Sequence, residues 1–348
     1  MNIIRNLLGA YCLLKHQIKE DNVLIIQPLP GIGDIIWHLP HIKAIASNNN
    51  SGQVTLLTKK RSLARELLAG TSYVKEVIYL SDSENLYSRL LGGWRLGKFL
   101  KPFKFDHIWI LHGSARYGIA AVRAQIKHRF GYGIGWQDAF LTSPYTMTHN
   151  DKSLGTIEKA TRCLQLNGIP FPTEKTYLGL TKKALDSAKN QIKQEDKTLV
   201  GLAIGSSEPT KQWGWENFAS LVGSIHKKYQ PEIVLIGGPE DKDIANSMIA
   251  KLGHPKWIKT AIGLPILEAA AITSLCNICI GNDTGVLNIA AATGTISIGL
   301  FGSSPPQNKD PLIQPIMLSH ITSYSQKNIQ ELTIEKIIDS MSSIPGFE

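Results

Sequence analysis

Short apolar runs separated by longer stretches of helical periodicity recur along the chain. VLIIQ (23–27), QVTLL (53–57), VIYL (77–80) and HIWIL (107–111) have the near-continuous apolar character of strands buried on both faces of a sheet. A helical stretch runs from Asp34 through Ile45, and a second carries Leu63, Leu67 and Leu68. This alternation predicts a mostly parallel sheet covered by helices. Residues 112–180 are less regular: Gly131, Gly133 and Gly135 mark a loop, a helix is predicted near 153–166, and NGIPFP (167–172) has the composition of a domain connection. The alternation then restarts with strands at 198–204, 232–236, 277–280 and 295–301. Helices are predicted at 216–229, 241–252, 267–274, from Gly285 onward and at 329–341. The predicted fold class is α/β, with two doubly wound, Rossmann-like parallel-sheet domains in series. The first spans 1–172 and the second 173–322, and a C-terminal helix within 323–348 has the option of packing back across the junction.

Charge narrows the partners. Lys and Arg number 37 against 28 Asp and Glu, a formal net charge of +9. That excess suits an anionic partner such as a nucleotide, a phosphorylated glycolipid or an anionic membrane face. Nucleic acid is disfavoured, because the basic residues look scattered, without an aromatic-interleaved patch. No apolar run reaches the ~18 residues of a spanning helix. Ile3, Ile4, Leu7, Leu8, Tyr11, Leu14 and Ile18 nevertheless recur at helical spacing beside Arg5, Lys15, His16 and Lys19. Such a helix either packs on its own domain or lies at a membrane interface, and no small-x-small cleavage site follows it. The cysteines are Cys12, Cys163, Cys276 and Cys279. The C-x-x-C pair is flanked by Leu275, Ile278 and Ile280 and is expected to pack in a strand rather than bind metal; so few cysteines fit a reducing compartment.

Three strand-to-helix junctions carry candidate chemistry. In PLPGIGDIIWHLP (28–40), Gly31 and Gly33 allow close approach of a ligand to backbone, and Asp34 stands at a helix start, where it serves either as a cap or as a site acid. In AIGSSEPTKQWGWENFASL (203–221), Ser206, Ser207 and Lys211 precede a helix, an arrangement suited to a pyrophosphate. Trp213, Trp215 and Phe218 are expected to anchor that helix in the core. In CIGNDTGVLNIAAATGTISIGLFG (279–302), the amides of Thr284 and Gly285 lie at a helix N-terminus fit for phosphate oxygens, with Asp283 able to reach a sugar hydroxyl. Glu240, in GGPEDKD (237–243), is either a ribose ligand or part of a surface turn.

Taken in order, these three motifs resemble glycosyltransferase family 9, the ADP-heptose:lipopolysaccharide heptosyltransferases. The resemblance runs from about Val23 to Phe301 and includes HGSARYGIAAVRAQIKHRFGYG (112–133). It implies a GT-B-like fold with an acceptor-binding N-terminal domain and a donor-binding C-terminal domain facing a cleft. It also implies an inverting, metal-independent transfer without a cofactor. The donor would be a nucleotide sugar, ADP-heptose in the family, and the acceptor an anionic glycolipid or other lipopolysaccharide-type glycan. The implied location is cytoplasmic, with peripheral contact to the inner face of the membrane left open. Asp34 matches the family's catalytic aspartate and Lys211 its donor-phosphate lysine, with Ser206 and Ser207 at hydroxyl positions beside it. Thr284 and Gly285 match the diphosphate amides, and Asp283 the aspartate near the donor sugar. Two positions depart from the pattern. Asn288 stands where the family usually has the His of D-T-G-x-x-H, which leaves the donor sugar open, and Trp213 is followed by Gly214 rather than Pro. Two rival readings are a nucleotide-sugar epimerase or dehydrogenase and a non-catalytic nucleotide-sugar or glycan binder. The first lacks a complete G-x-G-x-x-G after the first strand, and the presence of both Asp34 and Lys211 speaks against the second.

Overall fold

The computed structural model describes residues 21–80, 91–193, 197–206, 208–303, 305–306, 310–318 and 323–348. The amphipathic stretch 3–18, Cys12 and Ser207 lie outside the described residues. The chain divides into two compact units, one holding His38–Arg65 and Ser72–Thr176, the other Tyr177–Glu348 together with Gly31–Trp37 and Glu66–Thr71.

The first unit is built on strands β1 (Val23–Ile26), β2 (Val54–Lys59), β3 (Val74–Leu80), β4 (His107–Ile110) and β5 (His128–Gly131). All pairings are parallel, in the order β3-β2-β1-β4-β5. All four residues of β1 are buried, as the central strand of a doubly covered sheet requires. Its principal helices are α1 (Ile32–Ser47, whose first turns belong to the second unit), α2 (Gly92–Leu100), α3 (Ala115–Arg123) and α4 (Thr156–Leu166). Leu24, Ile26, Ile108 and Ile110 form one core with Leu96 and Leu100 of α2 and Tyr117 and Ala120 of α3.

The second unit carries β6 (Leu199–Ala203), β7 (Glu232–Gly237), β8 (Ile258–Ile262), β9 (Ile278–Asn282), β10 (Ile296–Leu300) and β11 (Ile313–Ile316) in the order β11-β10-β9-β6-β7-β8, again all parallel. Its helices include α5 (Lys182–Ile192), α6 (Trp215–Tyr229), α7 (Lys242–Lys251), α8 (Ile266–Leu275), α9 (Gly285–Ala292) and α10 (Ile334–Met341). Phe218, Leu221, Val222 and Ile225 of α6 share a core with Ile337 and Met341 of α10, closed by an edge-on contact of Tyr229 with Phe347 at 5.4 Å. The closing helix expected over 329–341 is broken in two. A short helix, Gln326–Gln330, precedes α10, whose start is capped by Thr333 accepting from the Lys336 amide.

Strands β5, β8 and β11 are not expected from the sequence, and the loop predicted around Gly131 contains the end of β5. Cys276 and Cys279 are buried, and burial pushes the Cys279 thiol up to about 12. A Cβ at Gly201 would sit 3.0 Å from the Cys276 sulfur, so the pair packs against bare backbone as a core element.

The centre of this sheet has no spare room. Gly281 of β9 faces Ala203 of β6, and a Cβ there would fall 2.4 Å from both the Cβ and the carbonyl oxygen of Ala203. Gly281→Ala should therefore lower stability by about 1–3 kcal/mol through overpacking, read as a fall in the urea midpoint. An unchanged midpoint would mean that the two strands separate without cost.

Candidate active site

The first junction motif begins α1 with a side chain that serves the helix itself. Asp34 is the third residue of α1, and its Oδ2 accepts from the Gly31 amide at 2.8 Å, the acidic half of a capping box. A Cβ at Gly31 would lie 2.8 Å from the same oxygen, so a larger residue there would make the carboxylate shift. Burial pushes the Asp34 carboxyl above the usual carboxylate range, opposed by the Gly31 amide and by the charge of Lys211. Asp34 thus sits within the electrostatic field of Lys211.

Lys211 ends the short 3₁₀ turn Pro209–Lys211 and pairs with Asp283 Oδ2 and Glu208 Oε1, each at 3.2 Å. Burial works to lower its ammonium, but the two carboxylates outweigh it and hold the group above the ordinary lysine value. Ser206 lies in the same loop, its hydroxyl donating to the Glu208 carbonyl and accepting from the Glu208 amide in a local turn. Trp213 behaves as the predicted anchor: it is 1% exposed, its ring meets Phe218 edge-on at 5.1 Å, and its Nε1 donates to the Leu332 carbonyl. Gly214 follows it with φ +108°, outside the reach of the proline common there in the family.

Asn282 gives no signal in the sequence, yet it holds this loop to the third motif. Its Nδ2 is shared among the Ile204 and Gly205 carbonyls and Gln212 Oε1, and its Oδ1 accepts from the Trp213 amide. The loop carrying Lys211 is thereby fastened to the residue before Asp283. Asp241, the buried acid beside Glu240, is equally silent in the sequence. Its Oδ2 accepts from the Gly238 amide at 2.8 Å and would meet a Cβ at Gly205 at 2.0 Å. Burial raises its carboxyl, while Glu240 itself is exposed on the Pro239–Asp241 turn.

Thr284 is the N-cap of α9, yet its side chain makes no capping bond, and its buried Oγ1 has no hydrogen-bond partner among the described residues. The first amides of α9 therefore receive no help from the residue best placed to satisfy them. Gly285 lies so close to Ile32 that a Cβ would be 3.0 Å from the Ile32 Cβ. Asn288 is buried; its Nδ2 donates to the Thr284 carbonyl at 2.8 Å and its Oδ1 accepts from Trp37 Nε1 at 2.7 Å. A Cβ at Gly33 would come 3.4 Å from Asn288 Nδ2. Asn288 thus ties the first turns of α1 to the Asp-Thr-Gly turn.

In the first unit the carboxyl ends of the strands gather a second polar set, also unread in the sequence. Gln27 is fully buried after β1, with no hydrogen-bond partner for its Nε2 among the described residues. His112, after β4, accepts from the Ser114 amide through Nδ1. Its pKa is lowered by burial and then by Arg116 and Lys59. Gln137 braces this loop by donating to the His112 carbonyl at 2.6 Å. In parallel sheets this edge is where ligands bind. Among the described residues, no group of three or more His, Cys, Asp and Glu side chains is placed to hold a metal ion, and no helix is long and apolar enough to cross a membrane.

Comparison with known proteins bears on the family and the fold. The model for glycosyltransferase family 9 (heptosyltransferase) matches residues 93–338. The chain is 23% identical over 276 residues to lipopolysaccharide heptosyltransferase 2 of Salmonella typhimurium, covering 72% of this chain and 78% of that protein. A glycosyltransferase of the same family from Veillonella parvula superposes with TM-score 0.76 at 17% identity, over 94% of this chain and 98% of the other. The Escherichia coli heptosyltransferase WaaC, solved with ADP-2-deoxy-2-fluoro heptose, gives 0.70 at 14% identity over 92% and 99%. The fold is that of these GT-B-type neighbours, two parallel-sheet α/β domains.

The clasp around Asn282 yields a direct test. Asn282→Ala should cost about 3 kcal/mol, since it strands the buried Trp213 amide and the carbonyl partners. Denaturant unfolding measures the loss; a change below about 1 kcal/mol would show that these groups find other partners.

Proposed function

The chain belongs to glycosyltransferase family 9, and on that premise we propose that it transfers a heptosyl group from ADP-heptose to a lipopolysaccharide-type acceptor with inversion at the anomeric carbon. The observation that carries this reading is the half-buried Asp34 carboxylate lying in the field of Lys211, which is itself paired to Asp283 beside the uncapped start of α9. A carboxylate whose proton affinity is raised by burial makes a better general base. Asp34 removes the proton of the acceptor hydroxyl as its oxygen bonds to the anomeric carbon. The bond from that carbon to the diphosphate breaks, and ADP departs with the electron pair. The charge that develops on the diphosphate is met by Lys211 and by the first amides of α9. With a fixed cation and oriented dipoles in that position, the reading calls for no metal ion.

Two further assignments follow. Asn288 has both ends of its amide engaged, so it acts by orienting the Asp34 turn against the diphosphate turn, where a histidine could contribute charge to the donor. The acceptor belongs to the first unit, whose strand ends present Lys59, His112 and Arg116 to an anionic glycan. Support for the donor comes from WaaC, a fold neighbour solved with ADP-2-deoxy-2-fluoro heptose. On this reading the protein works at the cytoplasmic face of the membrane that carries the acceptor.

Asp34→Asn should lower turnover by roughly 10²–10⁴-fold while ADP still raises the melting temperature, and wild-type turnover should persist in EDTA. Turnover unchanged in the variant would remove Asp34 from the mechanism. The pH profile supplies an independent check. The base must be ionised, so kcat/KM rises with pH through a midpoint above the ordinary aspartate range. Because Lys211 holds the Asp34 pKa down, Lys211→Ala should move that midpoint further up, in addition to weakening the donor. A downward move would show that Lys211 does not act on Asp34.

A further inference from the structure

The basic residues that look scattered in the sequence are partly gathered by the fold. Helix α2 alternates cleanly: Gly93, Leu96, Gly97 and Leu100 are buried, while Trp94, Arg95, Lys98 and Phe99 face outward. Its orientation is fixed by contact with α3. A Cβ at Gly93 would come 2.6 Å from the Arg116 carbonyl oxygen, and one at Gly97 2.6 Å from that of Ala120. The helix therefore cannot roll to hide its outer face. That face keeps large apolar surface in water: Leu91 is 57% exposed, Trp94 54% and Phe99 41%. Around it stand the exposed cations Arg95, Lys98, Lys101 and Lys104, with no acidic residue between 91 and 105. The Arg123 guanidinium lies 4.4 Å over the Trp94 ring.

We infer that this face of α2, with the turn that follows it, docks on an anionic lipid bilayer. Single exposed apolar side chains are ordinary on soluble proteins. Leu91 at the helix start with Trp94 and Phe99 on α2, interleaved with Arg95 and Lys98 and followed by Lys101 and Lys104, form the two-part pattern of an interfacial helix. The aromatic rings enter the boundary between headgroups and acyl chains, and the ammonium and guanidinium groups meet lipid phosphates. Charge complementarity selects the bilayer as occupant: anionic headgroups answer the cations while the acyl boundary beneath them takes the rings. Nine residues are far too few to span a bilayer, so the contact is peripheral. The inference rests on the transferase reading only in that a lipid-borne acceptor gives the docking a purpose; the binding itself is independent of catalysis.

The full chain is tested by co-sedimentation with vesicles of phosphatidylcholine alone or containing about 30% phosphatidylglycerol. The wild type should partition onto the anionic vesicles, weakly onto the neutral ones, and less as salt rises. Trp94→Ala with Phe99→Ala should reduce anionic-vesicle binding about tenfold, and Lys98→Glu with Lys101→Glu by at least as much. The charge pair lies wholly on the surface, so it keeps the test sound should the aromatic pair fail to fold; melting curves decide that. Stabilisation by ADP should be the same in all three proteins, so failure of the docking surface is distinguishable from failure of the donor reading. The inference is overturned by absence of vesicle binding, by equal binding to neutral vesicles, or by binding that neither pair alters. It is also overturned by a wild-type dimer in sedimentation that both pairs dissociate, which would assign the face to a second copy of the chain.

Discussion

One ammonium answers to three carboxylates. Lys211 is 3.2 Å from both Asp283 and Glu208 and acts electrostatically on Asp34, and the rest of the second unit is arranged to keep it there. Asn282 closes the loop that carries it, Trp213 anchors the next residues in the core, and Gly214 adopts the positive φ that lets α6 begin at once. The position of the lysine therefore tempers the burial-driven rise in the proton affinity of Asp34 and, on the proposed reading, sets the charge offered to a diphosphate.

The strands legible in the sequence are those with neighbours on both sides. Every interior strand, β1, β2 and β4 in the first sheet and β6, β7, β9 and β10 in the second, announces itself as an apolar run, because a parallel strand covered by helices must be apolar on both faces. Three strands are not legible, β5, β8 and β11, and all are edges. HRFG, IKTAI and IQPI mix polar and apolar residues because part of each is exposed, and nothing local separates them from loop. The fourth edge, β3, is legible because its second half, Val77–Leu80, is apolar enough to resemble an interior strand.

The site divides along a similar line. Asp34, Lys211 and the Asp283–Thr284–Gly285 turn are legible because strand, turn and helix fall in sequence around them, and ligand chemistry concentrates at such junctions. Asn282, Gln27 and Gln137 are not, because each works by closing hydrogen bonds, or by lying buried, among segments remote in the chain; Asp241 bonds to Gly238 nearby, but its burial against Gly205 comes from the fold. Asn282 reaches back 78 residues to Ile204. Asn288 lies between the two cases. Its bond to the Thr284 carbonyl follows from helical spacing, but its bond to Trp37, 251 residues away, exists only in the folded chain. At Glu240 the sequence points to a turn that the structure contains, and the acid that this turn buries is its neighbour Asp241.

The cap that Asp34 makes on Gly31 has a consequence for which acids this position can hold. The carboxylate is anchored by one oxygen to a backbone amide three residues earlier, at Gly31. A glutamate could still reach that amide, as the longer acid of a capping box does, but its extra methylene would hold the carboxylate in a different place. Helix initiation and acid placement are thus one geometric requirement: the bond that starts α1 also fixes where this carboxylate stands.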